Sequence, residues 1–222
     1  MFALPSTIIY FISFIVALCS LSYELILSQL LAVSFGGTLF YYSVTMGIFM
    51  FSLGLGSLYY TYKKSKNLIS LLVKTEIILT ALGLLSPYWI LYTSSFQNKI
   101  YPMLFYFLIH LPSILIGFFS GLELPNLLDL SSKKNLCLYY DYLGMFVSSV
   151  LFYVLIKQLN LINITLLITS LNLFVALLLL SFNKKYFHLE KIISIILLLV
   201  LIFHWIYSTK IATLWQYLIL LT

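Results

Sequence analysis

Long apolar runs separated by short polar connections decide what this chain can fold into. A helix needs about 20 apolar residues to cross the hydrocarbon core of a bilayer, and runs of that length recur along the whole chain. The 222 residues are 63% hydrophobic and only 8% charged. Because so few charged side chains cannot cover a water-exposed surface, the sequence predicts an integral membrane protein and argues against a soluble domain.

The apolar runs predict an all-α fold, a bundle of about seven transmembrane helices. Backbone polar groups in lipid must pair within their own segment, so each run is interpreted as a helix. The spans are placed at residues 7–33, 38–62, 70–92, 102–122, 139–158, 161–182 and 190–207. Residues 1–207 then form one polytopic domain. Residues 208–222 are a tail too short to cross the membrane, and we do not expect a helical anchor there.

Lysine is distributed unevenly between the two ends of the predicted bundle. One end carries Lys63, Lys64, Lys66, Lys133, Lys134, Lys184 and Lys185. The other end carries Lys99, Lys157 and Lys210. This bias predicts that the lysine-rich end and the N-terminus face the cytoplasm. We interpret the net charge of +6 as contact with the lipid bilayer and its anionic headgroups, not with nucleic acid.

No catalytic, cofactor or metal site can be recognised from the sequence. Cys19 and Cys137 are far apart and mostly in apolar surroundings, which supports neither a disulfide framework nor a metal site. The three histidines lie on different spans without metal-ligand spacing. We therefore expect no catalytic residue, no metal and no cofactor in this chain.

Glu24 is the most conspicuous polar residue because it lies near the middle of the first apolar run. Ser20 and Ser28 are one turn away on either side, so helical periodicity places a small and polar face around the carboxyl. An acid at the centre of a membrane helix costs about 2.5–3.5 kcal/mol. Glu24 should therefore face the bundle interior, a partner or water, and it is a candidate cation-binding residue.

Glu123 and Asp141 are the other candidate cation-binding acids. Each lies close to the lysine-rich end, Glu123 just before Pro125 and Asp141 at the predicted start of the fifth helix. We expect these two carboxyls to occupy one level of the bundle, with Glu24 nearer the opposite end. A purely structural interpretation stays open, because an acid near a helix end can simply interact with the helix dipole.

Small residues at helical spacing predict close contacts between helices. The second span offers one such stripe and the fourth and fifth spans offer others. The candidate packing residues are Ser43, Gly47, Gly54, Gly56, Gly117, Gly121 and Gly144. A Gly-x-Gly pair in this context is not a phosphate-binding loop, since no strand and turn surround it.

Three short motifs in order resemble the membrane-embedded N-terminal half of bacterial membrane-bound spermidine synthases, a family of polyamine aminopropyltransferases. The first motif comprises Tyr23, Glu24, Gly54, Gly56 and Ser57. The second comprises Gly121, Glu123 and Pro125. The third comprises Asp141, Tyr142, Leu143 and Gly144. Each motif is weak alone, and the three together cover most of the chain.

The resemblance implies a non-catalytic membrane domain in the bacterial inner membrane, serving as an anchor or a polyamine-handling module. The tail, with Trp215, Gln216 and Tyr217, resembles the first strand of the family's soluble catalytic domain. The cofactor and polyamine residues of that domain are missing here, so this chain alone should be inactive. Seven spans with a cytoplasmic N-terminus would leave the tail outside, which suggests that the first span is tilted or re-entrant.

Two alternatives to a synthase membrane domain remain. One is a small stand-alone transporter for polyamine-like organic cations, and the other is a structural assembly partner. The partners expected under these hypotheses are a polyamine, a separate aminopropyltransferase subunit or further copies of this chain.

Overall fold

The computed structural model describes residues 5–63, 67–97, 99, 101–182 and 188–221, and within them it is helical with no strand. Seven helices are long and apolar enough to cross a membrane, as the sequence predicted. They are α1 (Ser6–Phe35), α2 (Thr38–Tyr62), α3 (Leu68–Ser94), α4 (Pro102–Leu130), α5 (Lys134–Gln158), α6 (Leu161–Phe182) and α7 (His188–Leu221).

Two helices extend further than predicted at the end where the lysines cluster. Helix α4 continues through Pro125 to Leu130, and α5 begins at Lys134. A proline removes only one amide donor, whereas ending the helix in lipid would leave several backbone groups without partners. The predicted end of the fourth span at residue 122 is therefore wrong. Glu123 and Asp141 also lie well inside their helices, so the helix-dipole interpretation does not fit either residue.

The tail also differs from the expectation. Helix α7 has 34 residues and runs to Leu221, which makes it about 51 Å long, well beyond the thickness of a hydrocarbon core. The expectation of a non-helical tail is wrong, because no proline or glycine interrupts residues 188–221. That this segment leads into a catalytic domain remains a prediction.

Helix α1 is the centre of the bundle. It contacts α2, α3, α4, α5 and α6. In its most apolar stretch, 61% of the residues are buried. It is a continuous helix of 30 residues, so the suggestion of a re-entrant first span is wrong. Among the described residues helix α7 packs on α3 and α6, and 11% of the residues in its most apolar stretch are buried.

Glycines allow backbone contact in two helix pairs. A Cβ on Gly121 would lie 2.1 Å from the carbonyl oxygen of Leu53, and one on Gly56 would lie 2.0 Å from that of Phe118, so α2 and α4 touch directly. A Cβ on Gly144 would lie 2.2 Å from the carbonyl oxygen of Phe14, so α5 and α1 also touch directly. These positions cannot accept a side chain unless the helices move apart.

The predicted packing stripe of α2 is only partly correct. Ser43, Gly47 and Gly54 are exposed, and a Cβ on either glycine would meet nothing within 4 Å. The buried face of α2 instead carries Tyr41, Thr45, Phe49, Ser52, Gly56 and Tyr60. Gly117 does fit the prediction, since a Cβ there would lie 2.8 Å from the carbonyl oxygen of Phe49.

The helices alternate in direction along the chain, which gives the bundle two distinct ends. We call the basic end the one where α2, α4 and α6 finish and where α1, α3, α5 and α7 begin. Lys63, Lys133 and Lys134 are exposed there. The other four lysines assigned to this end, Lys64, Lys66, Lys184 and Lys185, lie outside the described residues.

Candidate functional site

Three carboxyl side chains from three helices lie at one level of the bundle, and we call them the carboxyl cluster: Glu76, Glu123 and Asp141. Glu76 follows the start of α3 by eight residues, about 12 Å of helix. Glu123 lies seven residues before the end of α4, and Asp141 lies seven residues after the start of α5, which is about 10 Å of helix in each case. All three therefore lie at a similar depth from the basic end.

The cluster is buried and has few protein partners. Glu76 is 0% exposed, Glu123 2% and Asp141 5%. Both carboxyl oxygens of Glu76 and one of Glu123 lack a hydrogen-bond partner. Glu123 interacts electrostatically with both Glu76 and Asp141. In the described part of the chain no lysine forms an ion pair with any of the three, so no cationic side chain there pairs with these acids.

Glu76 is the member of the cluster that sequence reasoning missed. It lies two residues after Lys74, near the start of the third predicted span, where a long lysine side chain can reach the interface. The two side chains in fact point in opposite directions, and the exposed ammonium of Lys74 lies 4.0 Å from the carboxyl of Glu190. A signal was present in the spacing of Glu76, Thr80 and Gly83, which places small and polar residues on one helix face.

Glu24 does not join the cluster. It follows the start of α1 by eighteen residues, about 27 Å of helix, and thus lies in the other half of the bundle. Its side chain is 3% exposed, and its Oε1 atom has no hydrogen-bond partner. The three acids proposed from the sequence therefore occupy two places, with Glu123 and Asp141 together and Glu24 apart.

Tyr23 lies on the side of the carboxyl cluster away from the basic end. Its hydroxyl donates to Thr169 Oγ1 at 3.5 Å and accepts from Asn172 Nδ2 at 3.2 Å, which anchors it to α6. A Cβ on Gly83 would lie 2.5 Å from the same hydroxyl, so the glycine makes room for it. Tyr23 also interacts electrostatically with Glu76 and Glu123. The Tyr23 phenol is thus anchored to α6 on that side of the carboxyl cluster.

Asn126 lies between the cluster and the basic end. Its side-chain amide donates to the carbonyl oxygen of Leu68 at 3.0 Å, and its own carbonyl oxygen has no partner. Asn126 follows Glu123 by three residues on α4, so both lie on the same side of the helix. The buried oxygens here are hydrogen-bond acceptors, as an ammonium group requires.

Comparison with known proteins reveals relatives over part of their length. The chain is 31% identical over 153 residues to a polyamine aminopropyltransferase of Leptospira interrogans, which covers 66% of this chain and 30% of that protein. Polyamine aminopropyltransferase 2 of Ralstonia nicotianae is 26% identical over 147 residues, with 63% and 28% covered. A polyamine aminopropyltransferase of Oceanobacillus iheyensis is 26% identical over 189 residues, with 81% and 36% covered.

Over this part of its length the chain is similar to polyamine aminopropyltransferases. The resemblance inferred from the three motifs is thereby confirmed. The chain spans about a third of the length of these curated relatives. No family model matches the chain, and no solved structure matches it either.

Proposed function

We propose that this chain is the membrane domain of a polyamine-handling protein, and that its carboxyl cluster binds an aliphatic polyamine. One observation carries the proposal: Glu76, Glu123 and Asp141 are buried together without a lysine partner among the described residues. Ionisable groups inside a membrane mark ion or substrate sites more often than structural ones.

Charge compensation explains why a polyamine suits this cluster. A buried carboxylate without a partner is costly, and a well-placed cation with additional hydrogen bonds offsets that cost. A polyamine brings several ammonium groups on one apolar chain, and the cluster offers several carboxyls in an apolar bundle. The Tyr23 hydroxyl and the unpartnered carbonyl oxygen of Asn126 supply neutral acceptors at its two sides. The names of the relatives point to the same ligand class.

The proposal also assigns a location and partners. The lysine bias favours the inner membrane of a bacterium with the basic end in the cytoplasm. The cluster would then lie about 10–12 Å inside the cytoplasmic side. A ligand there would be near an aminopropyltransferase domain, supplied by the same protein or by a separate subunit.

Spermidine binding to the full chain in lipid nanodiscs tests the proposal directly. Isothermal titration should show saturable binding to the wild type and a loss of at least about 30-fold in affinity for Glu123→Gln, because removing one partner of a buried charge pair costs about 2–5 kcal/mol. Glu190→Gln is the matched control, since Glu190 pairs with Lys74 away from the cluster. Equal affinity in the wild type and Glu123→Gln, or no binding to the wild type, would overturn the proposal.

Transport by the same cluster is a second outcome that proteoliposomes can detect. Accumulation of labelled spermidine in vesicles, abolished by Glu123→Gln, would make the chain a permease. Binding without accumulation would leave it as a membrane module that holds polyamine.

A further inference from the structure

A second group of buried polar side chains lies in the other half of the bundle, and we call it the neutral site: Thr45, His110 and Ser113. Thr45 and Ser113 are 0% exposed and His110 is 3% exposed. The hydroxyl oxygens of Thr45 and Ser113 and both ring nitrogens of His110 have no hydrogen-bond partner. Such groups cost free energy unless something pairs with them.

The register between α2 and α4 places these three side chains together. The two helices run in parallel, with Gly117 against Phe49 and Gly121 against Leu53. One turn earlier on each helix, the same register sets Ser113 opposite Thr45. His110 comes one turn before Ser113, and its ring centroid lies 6.5 Å from that of Tyr41. The three side chains thus lie along the interface between the two helices, which we call the seam.

A cavity of about 280 Å³ lies beside this seam, far larger than a single water requires. Of the three side chains of the neutral site, His110 is in its wall and Thr45 and Ser113 are not. The other wall residues are Phe40, Val44, Ile48, Tyr106, Phe107 and Ile114. Phe40 and Phe107 are 53% and 54% exposed, so the cavity opens towards lipid. A molecule dissolved in the bilayer can therefore enter it from the side.

The chemistry of the seam selects the ligand. Two hydroxyls and an imidazole offer both donors and acceptors. Glu24 lies in the same half of the bundle but not in the cavity wall, so an ammonium group in the cavity would find no carboxylate there. His110 lies about 12 Å along α4 from Pro102, which is too deep for a charged phospholipid headgroup. A small uncharged polar group on an apolar chain can pair with His110 from the cavity, and its chain fills the cavity.

We propose that His110, with Thr45 and Ser113 in the same seam, forms a binding site for an uncharged amphiphile, whose hydroxyl group pairs with the imidazole and whose alkyl chain occupies the adjacent cavity. This site is separate from the carboxyl cluster and does not depend on the function proposed for it. The ligand comes from the bilayer and not from the aqueous phase.

Photolabelling tests the proposal with the full chain in lipid nanodiscs. The probe is a medium-chain alcohol that carries a diazirine on its alkyl chain. We expect saturable labelling of the cavity wall on α2 and α4, read out by peptide mass spectrometry, and competition by 1-octanol but not by octane. His110→Leu should weaken the labelling about two- to tenfold, the effect of losing one hydrogen bond. Thr45→Val and Ser113→Ala, which change the polar surroundings of the imidazole, should weaken it in the same direction.

Controls separate this result from unfolding and from general lipid contact. Ser149→Ala is the matched control, because the Ser149 hydroxyl is exposed on α5 and donates to the carbonyl oxygen of Phe146 in its own helix. Thr45→Val and Ser113→Ala keep nearly the same side-chain volume, so they remain informative if His110→Leu fails to fold. Equal competition by octane, or labelling unchanged in the three variants, would show that water or nothing pairs with these atoms and would overturn the site.

Discussion

The carboxyl cluster and the neutral site occupy opposite halves of one bundle and differ in almost every property except burial. The cluster joins α3, α4 and α5 through three acids, whereas the neutral site joins α2 and α4 through two hydroxyls and an imidazole. The cluster has the anchored Tyr23 on its side away from the basic end, whereas the neutral site has a cavity open to lipid. A membrane bundle can thus keep two groups of unpartnered polar side chains apart, and we propose a different ligand for each.

Helix α4 is the element that the two sites share. It supplies Glu123 to the carboxyl cluster and His110 and Ser113 to the neutral site. His110 precedes Glu123 by thirteen residues and Ser113 precedes it by ten. Its close contact with α2 passes between them at Gly117 and Gly121. Substitutions along α4 and its neighbours therefore show how independent the two sites are.

The largest effect is expected from removing charge in the cluster. Asp141→Asn should lower spermidine affinity by about 30-fold or more, since it removes a buried charge that the ligand pairs with. Alcohol labelling at the neutral site should stay the same in this variant. Parallel loss of both activities, with an unchanged melting temperature, would mean that the two sites are coupled.

Gly121→Ala should come next, with about 1–3 kcal/mol lost from the free energy of unfolding. The new methyl would overlap the Leu53 backbone, and helix backbones cannot adjust as flexible side chains do. Because α2 must then move away from α4, alcohol labelling should fall more than spermidine binding. Thermal melting of the solubilised protein measures the stability change.

Gly54→Ala is the control for that substitution, because a Cβ there would meet nothing within 4 Å. It should leave the melting temperature and both ligand assays near the wild-type values. An equally large loss from Gly54→Ala would contradict the assigned contact between α2 and α4.

Tyr23→Phe should have a smaller effect that is confined to the cluster. It removes the hydroxyl that Asn172 and Thr169 hold beside the carboxyls, and each lost hydrogen bond is worth about 0.5–1.5 kcal/mol. We expect spermidine affinity to fall about two- to tenfold without any change in alcohol labelling. Unchanged affinity would remove Tyr23 from the ligand site and leave it as a structural link to α6.

Lys74→Ala should have the smallest effect, below about 1 kcal/mol. The Lys74 side chain is 59% exposed, and a single exposed ion pair contributes little to stability. Neither ligand assay should change, and only the melting temperature should move by a degree or two. A strong loss of spermidine binding would instead place Lys74 in the electrostatic environment of the cluster.

The sequence by itself determined the fold class, because seven apolar runs of bilayer length leave helices as the solution. It also supplied the family resemblance and two acids of the cluster, Glu123 and Asp141. Composition and periodicity are enough for these features, since each depends on a single segment and its own hydropathy.

Only the tertiary structure decided which polar residues meet. Glu76 lies two residues after Lys74 near a helix start, and nothing in its own segment points to the other acids, yet the packing of α3 against α4 places it beside Glu123. Thr45 and Ser113 carry no signal at all in their own segments. Their proximity depends on the register between two helices, and that register is set by glycine contacts that no single segment contains.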